Sequence, residues 1–247
     1  MAAPRSTVPL KAAALALLTA GCGYNHYAGP LEPSGEQGPS HVVADDGSVT
    51  FVQGRLEIRL RPLSDRELNR QFASQSGFRP QSTNPYTFAD TRFFRGNPER
   101  QRFTVFGLSV KNYAYPKVLI DPARVELTAD NGREYWSLNF DQLDNYYRIY
   151  ATGYRGNEYG RYKERLDLLR QTMFQMEHIF SGQEREGLLV FPALHPDVRR
   201  VEAVVHDAVL RFDYRDEPVE TVDVSYHFRR DVGRRYHDGD LELSDAD

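Results

Sequence analysis

Cysteine is almost absent from this chain: one in 247 residues. A single thiol excludes any internal disulfide framework, and it leaves Cys22 to be explained on its own. A basic excess is also missing. Lys and Arg number 31 against 35 Asp and Glu, a formal net charge of -4, so there is no global positive field to attract phosphate backbones, and nucleic acid is not an expected partner. The apolar run from Ala12 to Ala20 is nine residues long, whereas a helix needs about 20 to cross a bilayer, so this run is not expected to persist as a span. Walker phosphate loop, Rossmann glycine fingerprint, HExxH helix and GxSxG elbow are all absent. A non-enzyme without cofactor, catalytic residue or metal site is therefore the leading expectation, with a hydrolase of unrecognised active site as the alternative. Triads and carboxylate pairs assemble from distant positions and leave no local motif.

What is present suits one well-buried core. Apolar residues make up 40% and charged residues 27%, and the aromatic 12% is mostly 15 Tyr and 14 Phe, which favours strands and wet interfaces over a long helical bundle.

The first 21 residues carry Arg5 and Lys11 but no acid ahead of the apolar run and Gly21, the layout of a secretory signal. Leu18-Thr19-Ala20-Gly21-Cys22 resembles the lipobox of bacterial lipoproteins, with small residues at the two positions before the cysteine. That family usually places Leu three residues before the Cys; here Thr19 holds that place and Leu18 lies one earlier. The resemblance implies a diacylglycerol thioether on Cys22, cleavage before it, and anchoring by two or three acyl chains. It further implies a cell-envelope address. Gly23 stands where an inner-membrane retention Asp would be, which favours the outer membrane. Residues 22–47, rich in Gly and Pro, read as a flexible tether that lifts a domain spanning 48–232 off the headgroups.

Within that domain Leu56, Ile58 and Leu60 alternate with Arg55, Glu57, Arg59 and Arg61, a half-buried strand ended by Pro62. Ser64 and Glu67 have capping-box spacing and predict a short helix over 65–75. The stretch 79–90 reads as a loop. Strands follow over 102–112, 116–120 and 125–129, and Asp130-Asn131-Gly132 turns the chain toward Tyr135, Trp136 and Leu138. Residues 188–191 and 198–205 are strand-like, and Ala208, Leu210, Phe212 and Tyr214 pair with Val222, Val224, Tyr226 and Phe228 as a terminal hairpin whose apolar members, Phe212 included, should be core. Inward parity switches at His206-Asp207, which demands a bulge or turn there. Leu166, Leu168, Leu169, Met173, Met176, Ile179 and Phe180 roughly follow helical spacing up to Ser181-Gly182, so a helical insertion is expected over about 141–182. From 233 to 247 the chain is acidic and is expected to be disordered.

Strands at both ends with helices between predict a mainly β protein, a β-sandwich whose middle connection has grown. The blocks Phe103 to Asn112 and Gly187 to Pro192, followed by the terminal hairpin, resemble immunoglobulin-like domains of bacterial lipoproteins, including the telokin-like type. The resemblance implies a fold and an envelope setting and transfers no catalytic residue.

Two groups of side chains invite a functional reading. His206 and Asp207 with His227 could form a two-His, one-carboxylate site, though surface histidines at a kink need no metal. The stretch 145–165 interleaves Tyr146, Tyr147, Tyr150, Tyr154, Tyr159 and Tyr162 with Arg148, Arg155, Arg161, Lys163 and Arg165. Tyr and Arg are residues that interfaces favour. Either they form a binding surface for another envelope protein or a carbohydrate, or part of the tyrosines pack the insertion onto the sandwich.

Overall fold

The computed structural model describes residues 23–77, 82–89, 100–153 and 158–244. In chain order the elements are β1 (Tyr24–Ala28), β2 (Glu32–Pro33), β3 (His41–Val43), β4 (Val49–Gln53), β5 (Leu56–Leu63), α1 (Asp65–Gln71), α2 (Ala73–Ser76) and β6 (Phe103–Asn112). There follow β7 (Lys117–Val118), β8 (Val125–Ala129), β9 (Glu134–Trp136), α3 (Phe140–Gly153), α4 (Glu158–Thr172), β10 (Ile179–Phe180), β11 (Gln183–Pro192), β12 (Arg200–Phe212), β13 (Pro218–Arg229), β14 (Val232–Tyr236) and β15 (Leu241–Leu243).

Two antiparallel five-stranded sheets face each other, in the orders β11-β6-β5-β4-β3 and β2-β13-β12-β8-β9. Ile58, Leu60, Phe106, Leu108 and Phe191 of the first sheet meet Val125, Leu127, Val205, Tyr226 and Phe228 of the second in one buried cluster. The Tyr226 hydroxyl donates to the Ile58 carbonyl at 2.8 Å, linking the sheets through an otherwise apolar core. The alternate residues of the first sheet are apolar too: Phe103, Val105, Leu188 and Val190 form a second cluster with Leu68, Phe72, Leu143, Tyr147, Leu166 and Leu169 of the helices. The result is three layers, helices on sheet on sheet. Phe103 and Val105 on one face of β6 and Phe106 and Leu108 on the other are all buried because both faces are covered there, while farther along Ser109 and Lys111 meet Glu184 instead.

The mainly β class, the sandwich and the mid-chain helices agree with the sequence reading. Locally, Ser64 accepts from the Glu67 amide and Glu67 reaches back to the Ser64 amide, which completes the capping box of α1. The parity switch is a bulge: the β12–β13 register shifts between Val205 and Ala208, with Asp207 at φ 49°.

Four local expectations are corrected. Residues 23–47 do not form a free tether, because β1 pairs with β14, β2 with β13 and β3 with β4; the Gly and Pro residues separate short edge strands and turn the chain between them, as Gly47 does at φ 78°. The acidic end is ordered through 244: β14 and β15 pair around a turn in which Gly239 takes φ 98° and Asp238 and Asp240 face solvent. The second helix stops at Thr172, not at Ser181, because Met173 and Phe174 leave it to lie along β11, where the Phe174 amide donates to Leu188 at 3.0 Å. Phe212 is only half-buried, against His178 and Lys117, since further register shifts at Arg211 carry the end of β12 past the core and leave Tyr214 87% exposed.

Candidate functional site

The helical layer holds most of the Tyr/Arg-rich stretch. Asn139 and Gln142 exchange side-chain and backbone hydrogen bonds at 2.8 and 2.9 Å, capping the start of α3. Leu143 and Tyr147, one turn apart, then share the face turned to the sheet. Tyr147 is fully buried, with two guanidinium groups near its ring: Arg165 Cζ stands 5.3 Å and Arg102 Cζ 5.6 Å from its centroid. Its hydroxyl donates to the Pro85 carbonyl and lies 3.3 Å from Arg102 Nη1. Arg165 donates to the Ser82 carbonyl at 2.7 Å, and Arg102 covers the Phe88 ring at 4.4 Å.

These contacts hold residues 82–88, which form neither helix nor strand, in keeping with the loop expected over 79–90. Residues 82–88 are buried, and the arginines and Asn84 hold them, the latter donating to Ser76 and accepting from the Tyr86 amide. Burial drives the Tyr147 hydroxyl above its ordinary pKa, and burial raises the Asp65 carboxyl to about 7 despite the nearby Arg102 charge. Such a cluster is architectural: a desolvated cation is tolerable only when carbonyls and ring faces surround it.

The remaining tyrosines divide. Tyr162 donates to Asp144, which also pairs with Arg148 at 2.7 Å; the shared hydrogen bond raises the Tyr162 pKa and lowers that of Asp144. Tyr159 is 64% exposed, with Lys163 Nζ 4.9 Å from its ring centroid. Tyr146 is 39% exposed and meets Phe103 edge-on at 5.2 Å. Arg161 is half-buried. Tyr150 lies within α3, its side chain outside the described residues, as are Tyr154, Arg155 and Cys22. Ile149, 64% exposed, was missed; its place off the Leu143–Tyr147 stripe was the available signal. Tyr146 and Ile149, three residues apart, thus put aromatic and aliphatic surface on α3, with Tyr159 on α4.

The outer face of the second sheet carries the other polar group. His206 Nε2 lies 3.2 Å from Glu126 and Nδ1 3.7 Å from Asp223, and the imidazole stacks on Trp136 at 5.8 Å. His227 is opposite Glu202, four residues back along β12, so the two histidines are not brought together. Among the described residues no group of three His, Cys, Asp or Glu is placed to hold a metal. Near His227 a groove of about 570 Å³ is lined by Glu36, Thr128, Asp130, Arg200 and Glu202. No family model, curated protein or solved structure matches this chain.

Proposed function

We propose that this chain is an envelope lipoprotein, led by a signal peptide and anchored through acylated Cys22 in the outer membrane. Its sandwich serves as a non-catalytic binding or assembly module. The partner is another envelope component, a protein or a carbohydrate, met by the helical layer.

The observation that carries this reading is the exposure of Tyr146, Ile149 and Tyr159 on a layer whose inner face is otherwise fully used for packing. Large apolar and aromatic groups held on rigid helices give contact area at little conformational cost. Arg148 and Lys163 beside them add charge-assisted hydrogen bonds to carboxylates or sugar hydroxyls. Two antiparallel sheets about a common core are also the architecture of immunoglobulin-like domains, in line with the sequence resemblance.

Two experiments test the two parts. In the native host, Cys22→Ala should lose acyl labelling and leave the membrane fraction; retention there refutes the anchor. Crosslinking in the intact envelope followed by mass spectrometry should identify a partner for the parent, and Ile149→Ser with Tyr159→Ser should fold and lose it. A folded double variant that keeps every crosslink moves the binding surface elsewhere.

A further inference from the structure

We infer that the small sheet β1-β14-β15 is the membrane-facing end of the protein, and that the Tyr24–Tyr236 pair sits in the headgroup layer of the bilayer holding Cys22. The inference rests on the reading of Cys22 as acylated. Adjacent Cα atoms are about 3.8 Å apart, so Cys22 is one peptide unit from Gly23 and no more than roughly 7 Å of chain from Tyr24.

Gly23 is already packed. A Cβ on it would stand 2.4 Å from His237 Nε2, in the turn between β14 and β15, and the next residue, Tyr24, pairs with Tyr236. An acyl-bearing Cys22 therefore leaves the end of this sheet no room to stand clear of the lipid. The polar zone on each side of a bilayer is on the order of 5 to 8 Å deep, so Tyr24, Tyr236 and His237 fall within it.

Their chemistry suits that place. The Tyr24 ring meets Tyr236 at 6.2 Å and His26 at 5.6 Å, and Arg234 lies 4.9 Å from its centroid. Tyrosine is enriched at the membrane interface because one end of the ring is apolar and the other hydrogen-bonds, and arginine reaches phosphate from the same depth. Leu241, opposite Arg235 near this end, adds exposed apolar surface. Over residues 232–243, Arg234 and Arg235 are set against Asp238, Asp240 and Glu242. The contact is thus aromatic in the main; it needs no anionic lipid and resists salt.

The far end of the sheet is fixed to the sandwich. Gly29 donates to the Asp231 carbonyl at 2.8 Å, and the Arg230 guanidinium donates to the carbonyls of Val198 and His195 at 2.8 and 2.7 Å. The body consequently stands on the membrane in one orientation instead of swinging on a leash.

The test uses the full-length acylated protein in phosphatidylcholine vesicles and the soluble Cys22→Ala chain, both labelled by hydroxyl radicals and read by mass spectrometry. Tyr24 and Tyr236 should label several-fold more slowly in the vesicle-bound protein, at low and high salt alike, while Tyr214 labels equally in both. If the mass of the parent shows no acyl group, the anchor reading fails and the inference falls with it. If the parent is acylated and vesicle-bound but Tyr24 and Tyr236 label as fast as in the soluble chain, the anchor reading stands and the inference is overturned.

Discussion

One methyl group should have opposite effects at two glycines. Gly187 lies on β11 where the chain leaving α4 crosses it. A Cβ there would stand 2.4 Å from both Phe174 Cα and Phe174 N and 2.9 Å from the Met173 carbonyl carbon. Those are backbone atoms, and they are not free to retreat: Phe174 donates to Leu188 at 3.0 Å, and its side chain is buried between the sheets. Admitting the methyl means displacing this segment by about an ångström. Forcing an extra methyl into a packed site costs about 1 to 3 kcal/mol. Loss of the hydrogen bond adds about 1 kcal/mol. Gly187→Ala should therefore destabilise by about 2 to 4 kcal/mol. Gly160, exposed in α4 with nothing within 4 Å of a Cβ, should respond the other way, because Ala loses less backbone entropy: Gly160→Ala should stabilise by about 0.5 to 1 kcal/mol. Urea unfolding of the soluble Cys22→Ala chain followed by circular dichroism would show the two midpoints moving in opposite directions. A Gly187→Ala midpoint within about 0.5 kcal/mol of the parent would refute the close packing of 173–174 on β11.

Three further outcomes follow from single residues. Asp65 has a folded pKa raised to about 7 from 3.8, so the folded state binds the extra proton between those values, and stability from this group is present at low pH and lost as pH rises from about 4 to 7; Asp65→Asn should flatten the urea midpoint across that window, and an unchanged slope would sink the assignment. Tyr226→Phe removes the hydroxyl that bridges the sheets and should cost about 1 kcal/mol in denaturant titration, with no loss meaning that the bond is not formed in solution. Phe212→Ala should cost about 1 to 2 kcal/mol, well below a core truncation, since the ring is only half-buried; a loss near 4 kcal/mol would place it back in the core.

Much of the fold was legible wherever the responsible physics is local. The capping box of α1 spans four residues, and the alternation of Val222, Val224, Tyr226 and Phe228 reports one buried face directly. The bulge at His206-Asp207 was visible because a strand can change inward parity only by inserting a residue. The candidate site was legible in composition but not in orientation. Tyr146 and Tyr147 are neighbours in sequence, yet the helix turns one toward solvent and buries the other beside two arginines.

The residue sequence alone determined the periodicities, the turn chemistry, the mainly β class and the singular position of Cys22, because each depends on neighbours a few bonds away. Tertiary structure decided which edges were covered. Residues 24–28 carry no strand signal strong enough to stand alone, and become β1 only because Val232–Tyr236, some 200 residues later, offers unpaired backbone groups to match theirs. The end of α4 at Thr172 and the burial of 82–88 have the same origin: an exposed sheet face and a free β11 edge were filled by whatever segment could satisfy their apolar side chains and amides. Such pairings depend on long-range geometry, and no local run of amino acids encodes them.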